Sequence, residues 1–187
     1  MGQIRIGRWV ALVVVAPALM LGVFALSEGT ASHMKAAVRD SLSPWEIHIQ
    51  KVDEALAERN ADAAVRAWHD AYIAALGSWR WEGMVAVGDA YLRIGEGPVS
   101  RHASQAKARQ IYLAALFRAH QQVSLDGVLR AAEAFADLGD REVVEQSIRI
   151  AERLAEQDGD PQAGNRVRTF AERWAARVVE AQRFHAF

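Results

Sequence analysis

Three stretches of the chain repeat one spacing: a small residue, a large one four positions on, and a small one three beyond that. It stands as Ala64-Trp68-Ala71, again as Ala108-Tyr112-Ala115, and more loosely as Val144-Ile148-Ala151. Steps of four and three return to the same side of a helix, so each triplet marks one helix face. Matching stretches lie between them, Val87-Gly88-Asp89-Ala90-Tyr91 ahead of Gly95 and Ala131-Ala132-Glu133-Ala134-Phe135 ahead of Gly139. Ala64 to Gly88 and Ala108 to Ala132 are each about 24 positions, and Val52 to Ala64 and Ala132 to Val144 each about 12. Gly88 to Ala108 is about 20, which places about eight extra residues at 96–103. A unit this short cannot bury its apolar face alone, so copies of it must stack.

Breakers and caps divide the body into seven helices. Ser43-Pro44-Trp45-Glu46 opens the first with a cap, a first-turn proline and the Glu46 of a capping box, and that helix runs to about Arg59. Asn60 and Asp62 open the second, which ends at Gly77-Ser78. The third spans Trp79 to Ile94 and stops at Gly95-Glu96-Gly97-Pro98. Ser100 opens the fourth, ending near Gln122, and Ser124 caps the fifth, ending at Gly139. Asp140 caps the sixth, and Asp160-Pro161 starts the seventh, ending near Phe184. No stretch alternates as a strand would. Short connections force neighbouring helices to pack antiparallel, so the expected fold is all-α, a stack of helix hairpins. Ala64, Gly88, Ala108 and Ala132 are the small residues that let two helices approach, and Trp68, Tyr91, Tyr112 and Phe135 fill the space between hairpins.

The small-large-small spacing, with Gly88-Asp89-Ala90-Tyr91 and a glycine four positions past Tyr91, resembles the tetratricopeptide repeat. The resemblance covers residues 45–158. It implies repeats at about 45–78, 79–122 and 124–158 in a short right-handed solenoid, closed by a capping helix at 161–184. That helix carries the stripe Val167, Phe170, Ala171, Trp174 and Val178. His48 and Lys51 stand where the family prefers apolar residues, and Gly77-Ser78 and Val123-Ser124 where a closing proline is common.

The resemblance also implies that the first helix of each pair lines a groove for a protein or peptide partner. In that register the inner positions are Glu46, Ile49 and Asp53, then Glu82, Val85 and Asp89, then Asp126, Leu129 and Glu133. Glu46, Glu82 and Asp126 sit near helix N-termini, where a carboxylate favours the helix dipole. Asp53, Asp89 and Glu133 lie further along and form the better candidate for a partner-reading row. The Lys, Asn and Arg of the family's carboxylate clamp are absent from these positions. The expected partner is therefore a basic or apolar segment rather than a free acidic C-terminus.

Ahead of the body, Arg5 and Arg8 precede an uncharged run from Trp9 to Leu26, about 18 residues and close to the minimum for crossing a bilayer. The arginines predict the N-terminus inside and the body outside. Residues 1–27 read either as a retained membrane anchor or as a signal peptide cut near Ser27 or Ala31, with 28–43 as a linker. The body would then lie on the periplasmic side of a bacterial inner membrane, tethered or released.

Formal net charge is -1, without the basic excess of a nucleic-acid binder. The absence of cysteine excludes disulfides, thiolate metal sites and cysteine nucleophiles. No metalloprotease, phosphate-loop, serine-hydrolase or calcium-loop motif occurs, and no two of the six histidines stand at helical ligand spacing. The expectation is a non-enzymatic adaptor needing no cofactor or metal. Two other readings stay open. One is a structural solenoid that self-associates, end to end or through Trp174 and Phe187. The other is a helical domain binding a small ligand, for which Trp79 and Trp81 around Arg80 form a stacking platform or else a hairpin staple.

Overall fold

The structure, a computed structural model, describes residues 42–95 and 101–184. Seven helices occupy them: α1 (Pro44–Ala57), α2 (Ala61–Ser78), α3 (Trp81–Ile94), α4 (Arg101–Gln121), α5 (Leu125–Asp137), α6 (Arg141–Asp158) and α7 (Pro161–Phe184). There is no strand among the described residues. No described helix is long and apolar enough to cross a membrane. The expected anchor or signal segment, most of the linker and Phe187 fall outside the described residues.

The expected caps form. Glu46 accepts the Ser43 N–H at 2.6 Å, Asn60 Oδ1 accepts from Ala63 at 3.0 Å, and Ser124 Oγ accepts from Gly127 at 3.1 Å. Each satisfies a backbone donor that a helix start leaves unpaired. One boundary moves. The third helix starts at Trp81 rather than Trp79, because Trp79 adopts the left-handed conformation (φ 57°) that ends α2. α4 begins at Arg101, directly after Ser100 as expected, so its first turn takes in the last three residues of the 96–103 segment.

Consecutive helices pack as antiparallel hairpins, and α1 also meets α3, α3 meets α5, and α5 meets α7. The odd-numbered helices therefore make one face of the stack and the even-numbered ones the other. One packing motif occurs twice. Trp45 lies against Gly83 beside Ala75, and Trp81 lies against Gly127 beside Ala119. A Cβ on Gly127 would sit 2.6 Å from the Ala119 methyl and 2.8 Å from the Trp81 ring, so the hydrogen is what admits the tryptophan. Trp45 and Trp81 are about 36 positions apart, and Gly83 and Gly127 about 44; the difference is the extra segment between α3 and α4.

The repeated triplets build the core. Ala64, Ala71, Ala108 and Ala115 are buried against neighbouring helices. Trp68 donates its indole N–H to the Val87 carbonyl at 2.8 Å and tilts against Tyr91, while Tyr112 meets Phe135 edge-on. Tyr112 occupies the space above Gly88.

About 36 positions after α5, α7 takes the place of the first helix of a fourth unit. Ala163, Val167 and Phe170 are buried, as Gly127, Ala131 and Ala134 are in α5. Arg168, exposed, stands where α5 has Ala132 and α3 has Gly88. A charged side chain at the point where a partner helix needs a small residue leaves a solvated face, and the stack ends there.

Candidate functional site

The odd-helix face is crossed by ion pairs that sequence reasoning did not find. Asp53 meets Arg93 at 2.8 Å, Asp89 meets Arg130 at 2.6 Å, Glu133 meets Arg173 at 3.3 Å and Asp137 meets Arg177 at 3.1 Å; Asp126 also pairs with Arg166. Every pair joins one odd helix to the next, and every pair spans 40 or 41 residues.

This corrects the acid row. Asp53, Asp89 and Glu133 do share a face, but each is met by an arginine of the following odd helix rather than standing open. The apolar positions are corrected too. Val85 (4% exposed) and Leu129 (9%) are buried and Ile49 is half-buried. Successive odd helices approach so closely that the middle position of the register lies in the seam between them, not on a groove surface. Of the first-turn acids, Glu46 is engaged by its cap and Glu82 by Arg80 at 2.5 Å. Burial pushes the Glu82 carboxyl up, but the hydrogen bond from Arg80 leads the opposing effects and holds it below the usual carboxylate range. The five arginines also overturn the expectation of a groove without them. Their signal was present in the sequence as an arginine 40 or 41 residues after each acid. The helical register alone did not expose it, because the unequal connections shift that interval against the repeat.

Asp89 is the most constrained member. One oxygen accepts the Tyr112 hydroxyl at 2.6 Å and the other Arg130 at 2.6 Å, tying α3, α4 and α5 together. Burial, then the hydrogen bond to Asp89, raises the Tyr112 phenol far above its ordinary value. Asp126, Glu133 and their arginines differ, because they rim a cavity of about 390 Å³ between α5 and α7. Leu129 and Phe170 line it, with Asn165 and Thr169 on the α7 side. Arg130, Arg166 and Arg173 are each matched by a carboxylate, Asp89, Asp126 and Glu133 respectively, so the rim is charged but internally balanced.

Trp79 and Trp81 separate. Trp81 is half-buried on Gly127, whereas Trp79 is 72% exposed and covers the guanidinium of Arg118, with the ring centre 5.4 Å away. Arg118, buried on α4, donates to the Ala75, Leu76 and Arg80 carbonyls and so closes the C-terminal end of α2. Burial lowers its pKa. The Nδ1 of His48 is buried without a hydrogen-bond partner. No group of described residues is arranged to hold a metal ion.

No protein-family model matches the chain, and no curated protein matches it.

Proposed function

We propose that the chain is a tetratricopeptide-like adaptor of the cell envelope, held at the membrane by its N-terminal segment, and that it takes a segment of a partner protein into the cavity between α5 and α7. The observation that carries this reading is that cavity: an apolar floor of Leu129 and Phe170 ringed by half-exposed charges. A floor of this kind accepts an apolar side chain, and the surrounding charges fix its orientation. The internally paired rim selects neither sign of charge, so the occupant is a segment that seats an apolar side chain on the floor and meets the half-exposed pairs with its own polar groups. Binding of this kind needs no cofactor and no chemistry from the protein.

The test exploits the pairing. Exchanging Glu133→Arg together with Arg173→Glu preserves the internal attraction but reverses the field that a partner meets. The expected outcome is unchanged helicity with loss of partner capture from detergent-solubilised membranes. Capture at the wild-type level by the exchanged protein would refute the cavity as the binding site.

A further inference from the structure

The last seam of the stack lacks the device that closes the first two. Trp45 on Gly83 joins α1 to α3, and Trp81 on Gly127 joins α3 to α5. Between α5 and α7 the same two positions, about 44 after Trp81 and about 36 after Gly127, hold Leu125 and Ala163. No tryptophan fills the seam, and both residues line a cavity of about 490 Å³. Further cavities of about 390 Å³ and about 460 Å³ flank α7 on its α5 and α6 sides. Atoms that line such spaces lose the dispersion contacts of a packed seam. Among the described residues α7 buries Ala163, Val167 and Phe170 along its 24 residues, whereas α5 buries seven of 13. α1 ends the stack too, yet it buries Trp45.

Charge supplies the rest of the hold. Asp126, Glu133 and Asp137 are the carboxylates of α5, and Arg166, Arg173 and Arg177 of α7 meet all three. The acids and the arginines step along their helices in the same register, so the whole row engages or parts together. All six side chains are about half exposed or more, and pairs of that kind add little stability and weaken with salt. The wider balance has the same sign. α7 carries five arginines against two glutamates, and α5 and α6 together carry eight acids against four arginines. Arg168 shares the α6-side cavity with Glu152 and Glu156. Gly159 (φ 70°), between α6 and the Asp160 that starts α7, supplies a pivot.

We infer that α7 is a releasable strap, and that the α5–α6 surface beneath it takes in its place a basic amphipathic helix of a partner protein. α7 itself defines the chemistry of that helix: an apolar stripe like Ala163, Val167 and Phe170, beside arginines spaced like Arg166, Arg173 and Arg177. A helix from another chain competes with a strap whose tether gives it a high effective concentration, so release of α7 sets the threshold for binding. The inference goes beyond the cavity reading, which keeps α7 seated.

Hydrogen exchange on the full chain in neutral detergent tests the release. The α7 amides should exchange as a block, at least about tenfold faster than those of α3. They should exchange faster still in about 1 M salt, where the screening length is about 3 Å. Equal protection of α3 and α7, or indifference to salt, overturns the strap. The surface beneath is probed with a fluorescent synthetic peptide of residues 161–184. Val167→Gln puts an amide into the buried stripe of α7 and leaves the sequence of α1–α6 untouched. That chain should bind the peptide at least about tenfold tighter than wild type. Equal binding by the two chains refutes displacement. A peptide carrying Arg166→Glu, Arg173→Glu and Arg177→Glu should not bind; if it binds as well, the basic assignment fails. Because the chain has no cysteine, Asp137→Cys and Arg177→Cys joined by a short bismaleimide fix α7 in place. The tethered chain should take no peptide, and undiminished binding would contradict the need for release. Two differently tagged chains that co-purify unless tethered are exchanging α7 with each other, which overturns the partner assignment. Partner capture by the tethered chain reads the cavity alone, so either reading can fail without the other.

Discussion

The seam between α3 and α5 and the seam between α5 and α7 use the same device to different ends. In the first, Asp89 and Arg130 are each about two-thirds buried, and Tyr112 anchors the carboxylate from a third helix. In the second, Asp126, Glu133 and Asp137 and their arginines are about half exposed or more, and a cavity opens among them. An ion pair held by a third group in a partly dry seam fixes a repeat against its neighbour. Exposed pairs contribute little to stability and can be exchanged for a partner's charges. The difference sets a seam locked by a third helix at the centre of the stack against a solvated one at its end.

The sharpest way to break the central seam is Tyr112→Ala, which empties a fully buried ring site and should cost about 3–5 kcal/mol in denaturant unfolding. The same truncation of Trp174, half-buried at the terminal seam, should cost much less. If the two cost the same, the contrast between seams is wrong. Gly88→Ala should cost about 1–3 kcal/mol, because the added methyl falls within the Tyr112 ring's van der Waals envelope. Gly164→Ala on α7, where a Cβ meets nothing, should be neutral or slightly stabilising.

Tyr112→Phe should cost about 1.5–3 kcal/mol by removing a hydrogen bond to a carboxylate. It also tests the electrostatics. The folded phenol is raised above its unfolded value, so folding favours the protonated form. Its contribution is fully present below about pH 10 and is lost as pH rises beyond that. Wild-type stability should therefore fall above about pH 10. The Phe variant should lose that part of the slope. A variant with the same alkaline slope would show that the Tyr112–Asp89 bond does not control it.

The hairpins, the extra segment and the aromatic core were legible in the sequence because helix periodicity and glycine stops are local signals. The small-large triplets located Trp68 and Tyr112 because side-chain size alone determines which residues fill a helix seam. The candidate site was legible only in part. Periodicity assigned Asp53, Asp89 and Glu133 to one face, yet gave no sign of the arginines opposite, whose pairing depends on the separation and tilt of helices two apart. For the same reason Val85 and Leu129 were expected on a surface that the close approach of the odd helices removes. Trp79 was placed within a helix because nothing in its local pattern favours a left-handed tryptophan; the Arg118 beneath it comes from 39 positions away, too far for turn chemistry to anticipate.

At the small end of the scale, Glu133→Ala should cost below about 1 kcal/mol, against about 1.5–3 kcal/mol for Asp89→Ala, each read by thermal unfolding. Equal costs would erase the division between a structural and an exchangeable seam.

Whether the terminal seam is where a partner sits is decided most directly by a photo-crosslinking residue placed at Thr169 in the full chain and, as the central-seam control, at Ala86. Irradiation in intact cells should yield a covalent adduct with a second protein from position 169, abolished by Arg166→Glu with Arg173→Glu, and none from position 86. Equal adducts from both positions, none from 169, or an adduct at 169 indifferent to the arginine changes would contradict the account.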